Sequence, residues 1–323
     1  MRCLVTGVAG LVGSHIAERL LEMGHEVVGV DRFTDYYPRP LKERNLTVLR
    51  DHARFSLVEA DLALTPLDPL LEGCETVYHQ AAQAGVRASW GETFATYLHD
   101  NVESTQRLLE AVRTRHPGVK KFIYASSSSV YGETPDLPMR ETSLTRPYSP
   151  YGVTKLSAEH LCELYRHNFG VPTVSLRYFT VYGPRQRPDM AFRKFFALML
   201  AGQSVPLFGD GEQTRDFTFI ADIVQANILS MQKQDALGVF NIGGGSRVTM
   251  NHVLATMGEI AGRPAVNQEG KQAGDVRHTW ADTSRAQEIL GYAPTVSLHE
   301  GLTRQFQWQR EVDGPGGTAA KSA

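Results

Sequence analysis

The stretch Thr6-Gly7-Val8-Ala9-Gly10-Leu11-Val12-Gly13 decides the fold. It joins an apolar run, Cys3–Thr6, to a segment in which Val12, Ile16, Leu20 and Met23 recur at helical spacing. Gly7 permits the tight turn. Gly10 lets the main chain approach a pyrophosphate, and Gly13 lets the helix pack closely on its strand. The helix start, at Leu11 and Val12, offers free N–H groups and a partial positive charge to phosphate. A second apolar run, Glu26–Val30, is followed by Asp31, whose carboxylate suits ribose hydroxyls and repels a 2′-phosphate. Strand, glycine turn, helix and acid together predict a Rossmann βαβ unit that binds NAD. Arg32 leaves a phosphate partner open; the desolvated clash with Asp31 favours NAD over NADP. Asp61-Leu62, past a third run, suits an adenine, and an ordinary turn aspartate is the competing reading.

Alternation of apolar runs with helical patterns continues through Phe55–Glu59, Thr76–His79, Lys121–Ala125 and Thr173–Arg177, and a short strand is expected at Val239–Ile242. Helices are expected at Val12–Met23, Val102–Arg115 and Tyr151–Asn168. This is how a doubly wound parallel sheet reads, and the fold class is α/β. The alternation loosens after Thr180, where Pro and Gly cluster at Gly183–Pro188 and Gly209–Gly211. The expected organisation is a dinucleotide-binding domain over 1–179 plus 235–244. A smaller, discontinuous α/β lobe over 180–234 plus 245–312 lids the carboxyl edge of the sheet, where open α/β sheets bind ligands. The Gly/Ala/Ser-rich stretch 313–323 reads as a disordered tail.

The bulk numbers exclude several classes. With 323 residues and a net charge of -2, the chain has no Lys/Arg block, so no nucleic-acid or anionic-membrane partner is expected. No run of about 18 apolar residues suggests a membrane span. No basic region followed by an apolar one opens the chain, so no signal peptide is expected. Cys3, Cys74 and Cys162 are scattered in apolar surroundings, which argues against disulfides and a cysteine zinc site and for a reducing cytoplasm. No metal site is expected.

Tyr151 and Lys155 stand four apart on one face of a helix beginning near Pro150. A phenol with a pKa near ~10 is a poor base at neutral pH unless a nearby ammonium stabilises its phenolate. The serines of Ala125-Ser126-Ser127-Ser128-Ser129 end a strand of the same sheet, where hydroxyls suit a polar ligand better than a core.

The sequence resembles the extended short-chain dehydrogenase/reductases, specifically the nucleotide-sugar epimerases. Thr6–Gly13 matches the family's TGxxGxxG, and Ser127, Tyr151 and Lys155 match its Ser-Tyr-Lys set. Within the family it is most similar to the UDP-glucuronate 4-epimerase branch. That likeness rests on His79–Arg87, Ser126–Gly132, Arg177–Ala191 and Arg215-Asp216-Phe217. The resemblance implies an isomerase. Tyr151 takes the proton from the sugar 4-hydroxyl while C4 passes a hydride to a tightly bound NAD. Ser127 bonds the same oxygen, Lys155 tunes Tyr151 and binds the nicotinamide ribose, and the 4-keto sugar turns and takes the hydride back on its other face. It further implies cofactor contacts at Gln80, Ala81, Ala82, Gln83, Asn101, Ala125 and Tyr178, and substrate contacts at Val86, Arg87, Ser127, Ser128, Ser129, Thr180, Arg187, Phe208, Arg215 and Asp275.

The relatives' other reactions read differently at these positions. 4,6-Dehydratases carry an Asp-Glu pair where Ser128 and Ser129 stand, and decarboxylases carry Glu at Ser129. UDP-glucose 4-epimerases usually have Asn at Thr180. Hydroxyls at Ser128, Ser129 and Thr180 suit a substrate carboxylate; Arg187 is the nearby candidate cation, with a role toward the cofactor or action at a distance as the competing readings, so UDP-glucuronate is the expected substrate and UDP-glucose the rival. For Arg87, Arg215 and Asp275, contacts to UDP compete with plain salt bridges; for Arg277 a salt bridge is the preferred reading. A homodimer through a four-helix bundle is also implied.

Overall fold

The structure, a computed structural model, describes residues 1–263, 266–269 and 276–313. Asp275 and, apart from Asp313, the expected tail at 313–323 lie outside the described residues.

The chain opens with β1 (Arg2–Thr6), α1 (Leu11–Glu22) and β2 (Glu26–Asp31), then short helices α2 (Arg39–Asn45) and α3 (Thr47–Arg50) before β3 (Phe55–Glu59). Next come α4 (Asp68–Leu71), β4 (Cys74–His79), α5 (Phe94–Tyr97), a π-helical segment Leu98–Glu103 and α6 (Ser104–Arg115). β5 (Lys121–Ser127), α7 (Pro150–Phe169) and β6 (Thr173–Tyr178) follow. The remainder comprises β7 (Val181–Tyr182), α8 (Ala191–Leu200), β8 (Val205–Phe208), β9 (Thr214–Asp216), β10 (Thr218–Phe219) and α9 (Ile220–Gln232). β11 (Gly238–Ile242), β12 (Arg247–Thr249), α10 (Met250–Ala261), β13 (Val266–Glu269) and α11 (Leu298–Asp313) complete it.

Seven strands form one sheet in the order β11-β6-β5-β4-β1-β2-β3, and every neighbouring pair is parallel. The strand order reverses between β1 and β4, which opens the ligand crevice at the carboxyl edge. Successive side chains alternate between faces, so Cys3 and Val5 pack with α1 and α9 while Leu4 packs with α4, α6 and α7. The seven expected strands and the βαβ start are all present, with no end moved by more than two residues.

Two differences stand out. The helix expected to start at Val102 begins at Phe94 and runs through the π-helical segment, because buried Asn101 is turned into the interior by that wider turn. The expected lobe 180–234 also contains α9, which packs on α1, β5 and β6. A crossover helix between parallel strands has to cover the sheet, and the apolar face of α9 at Ile223 and Ala226 does so. Outside the seven-stranded sheet, the residues after Thr180 include the pairs β8–β13 and β9–β12, with α8, α10 and α11. Their aromatic core, including Phe192, Phe196 and Phe217, is continuous with the α1 side of the sheet.

Candidate active site

Gly7 has φ +66, and a Cβ there would stand 2.8 Å from the main-chain nitrogen of Ala81; a Cβ on Gly13 would collide with the Gly7 carbonyl oxygen. Both glycines are therefore required by close backbone approach. No side chain caps the start of α1 at Gly10, which leaves the N–H groups of the first turn directed at the cleft. Asp31 ends β2 with one carboxylate oxygen accepting from Phe33 N–H at 2.9 Å and the other from Ala9 N–H at 3.1 Å. Burial raises its pKa while those two bonds and Lys42 oppose the shift. A bare helix start, a Cβ-free cradle and an acid at the end of β2 fit a dinucleotide. Arg32 is committed elsewhere: it bridges Asp61 and Asp100, each at 2.7 Å. Asp61 also receives His99 at 3.0 Å and Ala63 N–H at 2.9 Å, so its carboxylate acts as a turn anchor beside Leu62.

The segment Gln80–Gln83 leaves β4 against Gly7 and is held from three sides. Ala81 N–H donates to Thr6 Oγ1 at 3.1 Å, and Thr6 pairs with His79 Nδ1 at 2.8 Å. Thr105 donates to the Asn101 carbonyl at 2.6 Å, so His79 Nε2–H donates to Thr105 at 2.9 Å and Nδ1 accepts from Thr6. Burial keeps His79 neutral, with its pKa lowered to about 3. Asn101 accepts from Gln83 N–H at 2.7 Å and donates to Gln83 O at 3.1 Å and Thr154 Oγ1 at 2.9 Å. Its amide is thus engaged within the protein, joining the loop to α7. Tyr178 donates to Gln80 Oε1 at 3.1 Å and accepts from Asn227 at 2.8 Å. Ala82 sits within this loop, and Ala125 lies in β5 two residues before Ser127.

Ser149 caps α7 by accepting Gly152 N–H at 3.1 Å, with Pro150 in the first turn. A Cβ at Gly152 would stand 2.6 Å from Ser129 O, so this glycine lets the helix start press on the serine turn. The result places the Ser127 hydroxyl close enough to the Tyr151 phenol to act on its acidity. Burial raises the Tyr151 pKa, and the Ser127 hydroxyl and the charge of Arg187 draw it back down. Lys155 is buried with Nζ 4.5 Å from the Tyr124 ring centroid; burial draws its pKa down to about 7, with Cys162 and Glu159 opposing. Ser127 Oγ also accepts Ser129 N–H at 3.1 Å, which fixes the turn carrying Ser128.

Two buried acids without an assigned role in the sequence tie chain segments together, Glu159 beside this centre and Asp216 in the residues after Thr180. Glu159, one turn beyond Lys155, accepts from Ser126 at 2.5 Å and from Arg177. An acid at that spacing on the buried face of α7 was the legible signal. Asp216 accepts Gly244 N–H at 2.8 Å and Ala281 N–H at 3.1 Å, and burial raises its pKa to about 6. No local pattern marks that role.

On the lobe side, the Arg87 guanidinium lies 5.1 Å from the Phe208 ring centroid, so residues 121 positions apart meet beside Val86. Arg215 donates to the carbonyls of Thr214 at 2.9 Å and Arg277 at 3.0 Å. Arg277 pairs with Asp210 at 2.9 Å, the salt bridge expected for it. Arg187 holds Asp189 through Nε at 3.0 Å and Nη2 at 3.1 Å. Thr180 follows β6, and its carbonyl accepts Thr218 N–H at 3.1 Å.

Among the described residues no helix is long and apolar enough to cross a membrane. Residues 3–243 match the model of the NAD dependent epimerase/dehydratase family. An uncharacterized UDP-glucose epimerase of Bacillus subtilis, YtcB, is 44% identical over 95% of this chain and 98% of its own length. A UDP-glucuronate 4-epimerase of Thermodesulfobacterium geofontis is 38% identical over 95% of this chain and 96% of its own. The crystal structure of a UDP-glucuronic acid 4-epimerase from Bacillus cereus, in complex with UDP-glucuronic acid and NAD, superposes with a TM-score of 0.93 at 43% identity; the match covers 96% of this chain and 99% of that one. With residues 3–243 matched by the family model and these relatives covered almost end to end, the chain belongs to the NAD-dependent epimerase/dehydratase family.

Proposed function

We propose that the protein is a UDP-glucuronate 4-epimerase that interconverts UDP-glucuronate and UDP-galacturonate with a resident NAD. The observation that carries this reading is the start of α7 pressed on the serine turn at Gly152, which sets Tyr151 beside Ser127 with Arg187 in electrostatic reach of the same phenol. NAD, held by Gly7, Gly10, Leu11, Val12, Gly13, Asp31 and the Gln80–Gln83 loop, supplies the hydride acceptor. Arg32, Asp61 and Asn101 support that site by holding its walls, and Leu62, Ala125 and Tyr178 line it.

As the phenolate, Tyr151 accepts the proton of the sugar 4-hydroxyl and becomes the neutral phenol, and Ser127 donates to the sugar oxygen. Lys155, drawn toward neutrality by burial, regains charge beside a phenolate, which stabilises that phenolate. The same proton is returned when the sugar presents its other face. Ser128, Ser129 and Thr180 offer hydroxyls to the C6 carboxylate, and Arg187 offers charge. Val86, Arg87, Phe208, Arg215 and Asp275 grip UDP, with arginine forks meeting phosphate oxygens in pairs. The anchor is then the nucleotide, and the sugar is left free to turn between the lobe and the domain of 1–179 plus 235–244.

A second copy of this chain is the expected partner. Leu98 in the π-helical segment and Val153, Leu164 and Phe169 of α7 are exposed apolar residues on adjacent helices, which supports a four-helix-bundle dimer. Three free, buried cysteines support a reducing cytoplasm as its compartment.

The test is incubation of the purified protein with UDP-glucuronate and, separately, UDP-glucose. UDP-galacturonate without net NADH or carbon dioxide is expected from the first. Faster turnover of UDP-glucose, or release of carbon dioxide, would overturn the assignment.

A further inference from the structure

Arg187, whose charge reaches the Tyr151 phenol, already has a carboxylate in its fork. Arg187 meets the two oxygens of Asp189 at 3.0 and 3.1 Å. The side chain of Arg187 is 19% exposed and that of Asp189 44%. Tyr36, on the segment after β2, holds both: its ring centroid is 5.4 Å from the guanidinium, and its hydroxyl donates to Asp189 at 3.4 Å. Tyr36 is itself seated against Gly85, close to Tyr97, and Tyr97 stands edge-on to Tyr151 at 6.2 Å. The bidentate pair is therefore linked through Tyr36 and Tyr97 to the ring of Tyr151.

We propose that Asp189 is an internal stand-in for the substrate's C6 carboxylate, exchanging with it in the fork of Arg187 and so setting both affinity and selectivity for a uronate. The proposal rests on reading the site as one for a UDP-uronate. Binding then replaces one bidentate arginine–carboxylate pair by another, and Asp189, half in water already, moves to solvent at small cost. A bidentate pair formed with an unpaired, largely buried arginine would grip the sugar, and a gripped sugar cannot turn between its two hydride-accepting faces. The competitor weakens the hold without removing recognition. A neutral hexose has nothing to exchange, so the Arg187–Asp189 pair stays closed and the sugar passes beside it.

The experiment compares binding of UDP-glucuronate, UDP-glucose and UDP to the NAD-loaded wild type, to Asp189→Asn and to Tyr36→Phe by calorimetry, with kcat and KM for UDP-glucuronate. In Asp189→Asn, UDP-glucuronate should bind about three- to tenfold more tightly, with UDP-glucose and UDP not tightened. Its kcat should fall with its KM. Tyr36→Phe, which removes only the second partner of Asp189, should move uronate affinity the same way by a smaller factor. Equal changes for UDP-glucuronate and UDP-glucose, or no tightening for the uronate in either variant, overturn the proposal. If wild type binds and epimerises UDP-glucuronate while both variants match it, the stand-in role alone falls. If wild type binds UDP-glucuronate no better than UDP, the uronate reading falls and takes the stand-in role with it.

Discussion

Glu159 and Arg177 form a two-point ion pair inside the protein, Nη2 to one oxygen at 2.6 Å and Nε to the other at 3.0 Å. It bolts α7 to β6, and its reach is longer than the pair. Glu159 also holds Ser126, next to Ser127, while Arg177 bonds Tyr131 at 2.7 Å and Tyr131 bonds Asn241 at 2.7 Å. Asn241 in turn donates to the carbonyls of Met139 at 2.9 Å and Asp282 at 3.2 Å, the segment that carries the Met139–Ala281 bridge. Glu159→Ala leaves a buried guanidinium unpaired and should cost about 3–5 kcal/mol of stability. Replacing both partners by apolar residues should recover most of it. Urea unfolding of the single and double variants measures this, and equal losses in both would remove the pair as the cause.

Tyr151→Phe deletes the proposed proton acceptor and keeps the ring against Tyr97. Turnover should fall by at least about 10²–10⁴ while the protein retains NAD through dialysis. Persisting activity would assign the base elsewhere; lost NAD would mean that the ring had shifted.

Gly13→Ala places a methyl group against the Gly7 carbonyl. The turn must open, so NAD should be lost on purification and stability should drop by about 1–3 kcal/mol. Absorbance of the cofactor released on denaturation reads the first effect.

Asp216 contributes a pH dependence of known sign. Its folded pKa, about 6, lies above the ordinary aspartate value of 3.8 because burial disfavours the anion. The folded state therefore binds more protons between the two values, and stability falls as pH rises from about 4 through about 6. The amount is at most about 3 kcal/mol, from 1.4 kcal/mol per unit. Asp216→Asn should flatten that slope in urea titrations at fixed pH; an unchanged slope would assign it to other groups.

Leu164→Asp puts a charge on the exposed apolar face of α7. If that face is the contact between copies, light scattering should show monomers with the far-UV spectrum unchanged. A dimer that survives would move the interface elsewhere.

Local chemistry made much of this legible in the chain itself. The glycine turn, Asp31 and the Tyr151–Lys155 spacing depend only on neighbours within a few residues, and each lies where its periodicity implied. Strand positions followed because a sheet buried on both faces leaves continuous apolar runs.

The sequence by itself therefore determined the βαβ start, the parallel sheet and the placing of Tyr151 and Lys155 on one face of α7. Tertiary structure alone decided what surrounds them. Arg32 turns to Asp61 and Asp100, Thr6 is wired through His79 to Thr105, Glu159 meets Arg177, and Asp189 fills the fork of Arg187 beneath Tyr36. These pairings join strand ends and loops far apart in the chain. Which charge finds which partner is settled by desolvation and geometry in the assembled interior, and spacing along the chain carries no record of either.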